Sequence, residues 1–326
     1  MVEDYPRSLL EFEDRFHTED ACWRYLVQLR WPTGFCCQRC GHSQVWETGR
    51  GLLMCRACRA GVSVTAGTIF QDSHLPLRVW FRAIWWITNQ KSGVSALGLQ
   101  RTLGLGSYET AWTCLHKLRR AMVRPGRDRL TGEVEVDETL VGGVEKGGGK
   151  RHVGSKALVI VAAEVKGRGI GRIRLQQIPN ASEESVVGFV RGAVAPGATV
   201  ITDGWSAYPG LAQHGYVHRP RVVRTSGKTA STLLPRVHRV AALLKRWFLG
   251  IHHGRVSKEH LGYYLDEFTF RFNRRLSRHR GKLFYRLLQQ AVALGPAPYR
   301  RLVGQKRPHE IRPRHQVESS GYALIA

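Results

Sequence analysis

Four cysteines are spaced as two Cys-x-x-Cys pairs, an arrangement typical of metal binding rather than of disulfide bonds. The pairs are Cys37 with Cys40 and Cys55 with Cys58. Each pair presents two thiolates from one tight turn, and the four together close a tetrahedron around Zn²⁺. The spacing predicts a structural zinc site in a zinc ribbon, with unliganded reduced cysteines or another metal as the alternatives. Because so small a segment is marginally stable alone, zinc should contribute directly to its folding.

Two aspartates lie where strands could hold catalytic metal ions. Asp137 lies within the alternating segment 133–139, and Asp203 follows the apolar segment 198–202. Two-metal phosphoryl transfer needs at least two anionic ligands on rigid strands, so that a pair of Mg²⁺ ions can activate one oxygen and stabilise another. A single aspartate at a strand end is usually only a turn former. Two of them in this order of strands favour a catalytic pair, with Mg²⁺ or Mn²⁺ as the ion.

The third ligand is predicted on the last helix of the core. Segment 235–249 begins with Pro235, has helical apolar periodicity and is followed by Gly250. His238 and Lys245 are seven residues apart, and therefore lie two turns apart on one face. The segment has no acidic residue, so the histidine is the predicted ligand and the lysine would reach an adjacent phosphate. A neutral imidazole adds no charge, so the second metal should be held less tightly and Mn²⁺ better tolerated.

Three other acids are weaker candidates for this site. Glu138 should point to the opposite side of its strand from Asp137, because side chains alternate along a strand. Asp266 and Glu267 lie in an aromatic segment that contains several arginines. Structural salt bridges within that segment are the better interpretation of these two carboxylates.

The chain of 326 residues is strongly basic, with 50 Lys and Arg against 25 Asp and Glu and a formal net charge of +25. Residues 216–326 hold 23 of the basic and 5 of the acidic side chains. This charge indicates a polyanionic partner, and double-stranded DNA leads the candidates. Ribosomal and membrane-surface proteins are also basic, but they usually lack a set of acidic residues like Asp137 and Asp203. No apolar stretch is long enough to cross a membrane and no signal pattern is present, so we expect a cytoplasmic, nucleoid-associated protein.

The elements that would position these residues follow from periodicity. Residues 8–30 predict two short helices, and residues 75–122 predict three more, the last of which begins at Ser107 and could enter a major groove. A glycine-rich basic insert at 146–152 would be a DNA-contacting loop or only a hairpin tip. The later elements are strands at 133–139, 157–165, 171–178 and 198–202 and a helix at 182–195. This order predicts an α/β fold with an RNase H-like core, a mixed five-stranded sheet with flanking helices.

Three motifs carry a resemblance to a known family: VEVDETLVGG at 134–143, TDGWSAY at 202–208 and YLDEFTFRFNRR at 264–275. They resemble those of bacterial insertion-sequence transposases of the DDE class, in the subfamily with an N-terminal zinc ribbon. The resemblance extends from about residue 12 to residue 275. In that family the catalytic residues are two aspartates, a glutamate and a following lysine. The matching positions are Asp137, Asp203, His238 in place of the glutamate, and Lys245.

The resemblance implies a reaction in two steps. Activated water cuts DNA at the terminal inverted repeats of a mobile element, and the freed 3′-hydroxyl attacks target DNA, on an assembly of at least two subunits. Basic residues expected to contact DNA are Lys117, Arg119, Arg120, Lys150, Arg151, Arg246, Arg271, Arg274 and Arg275. A metal-dependent nuclease on the same fold, a zinc-ribbon regulator and a catalytically silent relative are the alternatives.

The domains predicted from these patterns are four. They are residues 1–72 for the N-terminal helices and zinc ribbon, 73–126 for a small helix-turn-helix-like domain, 127–300 for the RNase H-like catalytic domain and 301–326 for a basic C-terminal tail. The first two would recognise the DNA ends, and the third would carry the metal ions.

Overall fold

The computed structural model describes residues 3–49, 51–124, 126–142, 156–253 and 256–304. The glycine-rich basic insert and most of the predicted basic tail lie outside these ranges. Within the described part of the chain, none of the helices combines the length and the apolar character that a membrane crossing requires.

Two short helices open the described chain, α1 (Leu9–Arg15) and α2 (Glu19–Arg30). Ser8 and Thr18 cap them, and each hydroxyl accepts a hydrogen bond at 3.1 Å from the amide three residues further on. Such caps satisfy amide groups that the start of a helix leaves unpaired. The predicted pair of helices is confirmed.

A three-stranded antiparallel sheet forms the ribbon around the paired cysteines. Its strands, in both chain and sheet order, are β1 (Val45–Glu47), β2 (Leu52–Cys55) and β3 (Gly61–Ser63). The Trp23 indole of α2 donates to the carbonyl of Gly51 at 3.2 Å. The Arg30 guanidinium donates to the carbonyls of Ser63 and Val64 at 2.8 and 2.7 Å. The ribbon is therefore fastened to α2 at the turn between β1 and β2 and at the end of β3.

Three helices follow the ribbon, as the periodicity predicts. They are α3 (Leu77–Asn89), α4 (Ala96–Leu103) and α5 (Tyr108–Ala121). Ser95 and Ser107 cap the second and third of them, accepting amide hydrogen bonds at 3.0 and 3.1 Å. Gly104 ends α4 in the left-handed region at φ +63°, which a glycine adopts without strain.

A mixed five-stranded sheet forms the second half of the molecule. Its strands are β4 (Glu133–Val141), β5 (Ala157–Lys166), β6 (Gly169–Ile178), β7 (Thr199–Thr202) and β8 (Val217–Pro220), with α6 (Glu183–Ala193) between the third and the fourth. The sheet order is β6-β5-β4-β7-β8. The first three strands in the chain form an antiparallel meander, and β7 and β8 run parallel to β4. The predicted fold class is confirmed.

Helices cover both faces of this sheet. The elements after β7 are a 3₁₀ helix (Pro209–His214), α7 (Val223–Ser226), α8 (Ala230–Leu233), α9 (Pro235–His252), α10 (Leu261–Asn273), α11 (Arg280–Ala293) and α12 (Tyr299–Gly304). Val134 and Val136 of β4 lie in the core under α6. Glu135 and Asp137 alternate with them and face α9. The period of two along a strand thus sends both acids to the same helix.

Helix α9 extends almost one turn further than the sequence predicts. The expected end was Leu249, before Gly250, but the helix continues to His252 and ends at His253, which has a φ of +50°. A glycine inside a helix costs about 1 kcal/mol relative to alanine. Packing of the His252 ring against Tyr264, with centroids 4.5 Å apart, favours the longer helix.

Helix α11 packs into the N-terminal core and not onto the sheet. The Phe284 ring is fully buried there, with centroid distances of 5.4 Å to Phe12 and 5.7 Å to Trp85. The sequence places this helix with the catalytic domain. In the structure, the core of the N-terminal helices therefore includes a segment from far along the chain.

Candidate functional site

Four cysteine thiols converge at one end of the ribbon, and their Sγ atoms all lie within 4.8 Å of one another. The Sγ atoms of Cys37 and Cys58 are 3.6 Å apart, and those of Cys40 and Cys55 are 3.5 Å apart. With Zn–S bonds of about 2.3 Å, a tetrahedron sets its sulfurs about 3.8 Å apart. The backbone amides of Arg39 and Cys40 lower the pKa of the Cys37 thiol to about 6, which favours the thiolate that binds metal. The four residues fit a zinc ion.

Asp137 lies on β4, and Asp203 follows the end of the neighbouring strand β7. The register of β4 and β7 sets Glu135 opposite Ile201. Continuing it by two residues sets Asp203, just beyond the end of β7, beside Asp137. The two are close enough for the charge of Asp203 to contribute to a raised pKa at Asp137.

Helix α9 brings His238 to Asp137, with Nε2 of the imidazole 3.3 Å from Oδ2 of the carboxylate. This nitrogen is inaccessible to solvent, and it makes no hydrogen bond with any residue that the structure describes. Lys245 lines the same cavity of about 190 Å³ as Asp137 and His238. The histidine and the lysine therefore share one face of the helix, as their spacing predicts.

Burial dominates the electrostatics of this cavity. Burial, and then the charges of Glu138 and Asp203, raise the pKa of Asp137 to about 7. Burial also lowers the pKa of His238, so the imidazole is neutral near pH 7. It lowers the pKa of Lys245 as well. A divalent cation would favour the ionised carboxylate and accept the imidazole lone pair, so the chemistry of these groups fits a metal ion.

The oxygens and the nitrogen are less tightly grouped than the cysteine sulfurs. Over the described ranges, the four cysteines are the only set of three or more possible ligands whose atoms all lie within 4.8 Å of one another. The ligand atoms of Asp137, Asp203 and His238 are therefore more widely spread. Mg²⁺ usually retains several water or phosphate oxygens in its coordination shell, and it does not need an all-protein cage.

Sequence reasoning missed Glu135, a carboxylate that is only 1% exposed. Its Oε2 accepts hydrogen bonds from the backbone amides of Arg236 at 2.7 Å and Val237 at 3.1 Å. Its Oε1 accepts a hydrogen bond from the Arg236 guanidinium at 2.8 Å. The carboxylate therefore caps the start of α9, the helix that carries His238. The available signal is a second acid on the same face of β4, two residues before Asp137.

Two family models match the chain. Residues 129–273 match the ISXO2-like transposase domain, and residues 17–61 match the transposase zinc-ribbon domain. A relative from Halobacterium salinarum, described as "Uncharacterized protein in transposable element ISH50", is 28% identical over 277 residues, with 78% of this chain and 91% of the relative covered. The chain therefore carries the zinc ribbon and the ISXO2-like domain of an insertion-sequence transposase.

The matched domains of the transposase contain the two sites described above. The transposase domain includes Asp137, Asp203, His238 and Lys245. The zinc-ribbon domain includes all four clustered cysteines, which supports a structural zinc ion. The resemblance read from the sequence motifs is confirmed.

Hydrogen bonds from nearby side chains hold Glu138 and the turn that contains Asp203 in place. Tyr208 donates from its hydroxyl to Oε1 of Glu138 at 2.6 Å, and Glu138 lines the cavity together with Asp137. The Oδ1 of Asp203 accepts the backbone amide of Trp205 at 3.0 Å. The hydroxyl of Thr202 accepts the amide of Gly204 at 3.2 Å. The turn after β7 is therefore fixed by its own side chains.

Three basic residues predicted to contact DNA lie instead in the interior of the transposase. Lys117 donates to the carbonyl of Gln71 at 3.1 Å. Arg119 and Arg271 pair with the fully buried carboxylate of Glu267 at 2.7 and 2.8 Å. Lys117 lies against the chain before α3, and Arg119 and Arg271 lie where α5 packs against α10, so their burial counts against the predicted DNA contact. Helical periodicity alone did not indicate that other parts of the chain pack over the polar faces of α5 and α10.

The other six predicted DNA contacts fall into three groups. Arg246 and Arg275 are exposed, Arg120 and Arg274 are partly buried, and Lys150 and Arg151 lie outside the described residues. The guanidinium of Arg274 lies 4.1 Å from the centroid of the Phe270 ring. The Arg275 guanidinium donates to the carbonyl of Phe272 at 2.8 Å and lies 4.0 Å from the centroid of the Phe272 ring.

Proposed function

We propose that the transposase cleaves DNA at the terminal inverted repeats of its insertion sequence and joins the 3′ ends to target DNA. Asp137, Asp203 and His238 would hold Mg²⁺ or Mn²⁺. The observation that carries the proposal is the solvent-inaccessible Nε2 of His238, which lies 3.3 Å from Asp137 without a hydrogen bond to any described residue. Bound divalent ions supply activation of the attacking oxygen and stabilisation of the leaving one.

The side chains of the cavity have distinct roles in this proposal. The lowered pKa of His238 keeps its lone pair available near neutral pH. The raised pKa of Asp137 means that cation binding is coupled to loss of a proton. Lys245, on the exposed side of the cavity, would pair with a DNA phosphate near the cut bond.

A basic stripe on α9 is the proposed path of the DNA backbone beside the cavity. It consists of Arg239, Lys245 and Arg246, all exposed. Each contact between such a cation and a phosphate releases counterions, so binding should weaken steeply as salt is raised. We propose that the ribbon and helices α3 to α5 read the DNA ends, with the exposed Tyr108 at the start of α5, and that two or more subunits assemble on them.

The test uses purified protein and labelled duplexes that carry the terminal repeats found beside the gene. With Mg²⁺ or Mn²⁺ we expect cut 3′ ends and joined products. His238→Ala should abolish cleavage and His238→Glu should retain part of it, because a carboxylate can replace the imidazole as ligand. Asp14→Asn, an exposed substitution on α1, is the matched control and should change neither step.

Three outcomes would overturn the proposal. Cutting without joining would identify a nuclease. Binding of the ends without cutting by the unaltered protein would identify a catalytically silent protein. Full activity of His238→Ala would remove the histidine from the site.

A further inference from the structure

No hydrogen bond between His238 and Asp137 fixes the position of the two side chains relative to each other. Their atoms are 3.3 Å apart but do not form a hydrogen bond. In the absence of a cation, something else must therefore set the position of α9 against β4. Buried apolar residues such as Val240 and Leu244 contribute to this packing. Apolar contacts are non-directional, however, and fix the rotation and sliding of a helix less sharply than hydrogen bonds do.

The first turn of α9 is anchored by directional bonds. Pro235 has no N–H, and His238 donates its amide to the carbonyl of the residue before the helix at 3.3 Å. The amides between them, those of Arg236 and Val237, both donate to Oε2 of Glu135. A carboxylate on the neighbouring strand therefore completes the pairing of this helix start, where the helix dipole also favours negative charge.

The Arg236 side chain extends the same connection to a third element. Its guanidinium donates to Oε1 of Glu135 at 2.8 Å, to the carbonyl of Gly169 at 3.1 Å and to the carbonyl of Gly167 at 2.6 Å. The two carbonyls belong to the turn between β5 and β6 and to the first residue of β6. Strand, helix and turn thus meet at one ion pair, two residues from Asp137 on β4 and two from His238 on α9.

We infer that the Glu135–Arg236 pair is a clamp that sets the register of α9 on β4 and so positions His238 against Asp137 for metal binding. Glu135 is therefore a positioning residue. This inference rests on the proposed function. A displacement of about 1 Å at a catalytic group can lower a rate about 100-fold, so loosening the clamp should weaken metal use without weakening DNA binding.

The test compares Glu135→Ala and Glu135→Gln with Val240→Ala, which loosens the same helix from its apolar side. We expect Glu135→Ala to raise the Mn²⁺ concentration for half-maximal cleavage and to lower the rate about 10- to 100-fold, with unchanged affinity for DNA ends. Glu135→Gln keeps one acceptor oxygen and should lie between Ala and the unaltered protein. Val240→Ala should lower the melting temperature but leave the Mn²⁺ requirement unchanged.

Two further measurements keep the inference separate from the proposed function. Hydrogen exchange at the amides of residues 236–238 should accelerate in Glu135→Ala and not in Val240→Ala. Mn²⁺ binding, followed by electron paramagnetic resonance, should likewise weaken in Glu135→Ala and not in Val240→Ala. If the unaltered protein neither cuts DNA nor binds Mn²⁺ at Asp137, the proposed function fails. If it does both, and the Glu135 variants match Val240→Ala in metal requirement or in amide exchange, the clamp is refuted.

Discussion

The zinc ribbon and the proposed metal site on the large sheet differ in how their ligands are brought together. The ribbon ligands span only residues 37–58, and their sulfurs lie within 4.8 Å of one another. The proposed ligands at the large sheet span residues 137–238 and are more widely spread. The ribbon strands contain few buried side chains, whereas Val134, Val136 and Ile160 of the large sheet are fully buried. In the ribbon a zinc ion would stabilise the fold, whereas in the large sheet the fold itself positions the proposed ligands.

Loss of zinc should have the largest effect of all. Structural zinc contributes about 10–16 kcal/mol in small zinc domains, so Cys40→Ser should unfold the ribbon while the large sheet remains folded. Limited proteolysis with mass spectrometry should find new cuts confined to the ribbon, together with loss of bound zinc. Cys36→Ser is the control, because this exposed neighbour lies outside the four-sulfur cluster. Zinc loss in Cys36→Ser, or retention in Cys40→Ser, would contradict the comparison.

Removal of a sheet ligand should have the opposite result. Asp137→Asn should lower strand cleavage about 10³-fold, yet the protein should remain folded. Because burial and neighbouring acids disfavour the charge of Asp137, the metal-free Asn variant should be at least as stable as the unaltered protein at alkaline pH. Cleavage assays and thermal melts on the same preparation measure both effects. Unfolding of Asp137→Asn would show that this site, like the ribbon, depends on its ligands for its fold.

The buried ion pairs of Glu267 should contribute to the stability of the whole fold and not to either metal site. Glu267 is fully buried between Arg119 of α5 and Arg271 of α10, so it joins the helical unit to the catalytic one. Glu267→Gln should lower the free energy of unfolding by about 3 kcal/mol, because it leaves two buried guanidinium groups without a counter-charge. Glu13→Gln breaks the more exposed pair with Arg82 and should cost less than about 1 kcal/mol. Urea titrations compare the two variants, and equal costs would refute this assignment of the buried pairs.

The same contrast explains how much the sequence could predict. The ribbon was predictable because its ligands are close in the chain, and the spacing of the cysteines alone carries the geometry. The convergence of Asp137 and Asp203 followed from the order of strands, since Asp137 lies within β4 and Asp203 follows the end of the neighbouring strand β7. His238 followed from its spacing to Lys245 on one helix face. These are local patterns combined with one rule of topology.

Long-range packing decided what the sequence could not predict. Arg119 has the helical position of an exposed residue, but its partner Glu267 is 148 residues away. Glu135 is an ordinary acid in a strand until α9 places its first amides against it. Helix α11 enters the N-terminal core through Phe284, which no spacing in its own segment indicates. In each case the deciding contact joins segments that no periodic pattern connects.

The pH dependence of the sheet site should give the smallest effect and the sharpest test of its coupling to metal. The pKa of Asp137 is raised from its ordinary value of 3.8 to about 7 by burial and by Glu138 and Asp203. Without metal, the folded protein therefore binds this proton more tightly than the unfolded chain does. The stabilisation of the fold by the proton on Asp137 is complete below about pH 4 and is lost as the pH rises to about 7.

A divalent ion competes with that proton, so its benefit should run in the reverse direction. The rise in melting temperature on adding Mn²⁺ should grow between about pH 6 and about pH 8. Cleavage should increase over the same interval because the carboxylate must ionise to bind. Differential scanning fluorimetry of the unaltered protein and of Asp137→Asn, which lacks the titrating group, measures the difference directly. A rise in melting temperature that is independent of pH, or equal in the two proteins, would show that the added ion does not bind at Asp137. The zinc ribbon would then be the one metal site of the two that the sequence predicted correctly.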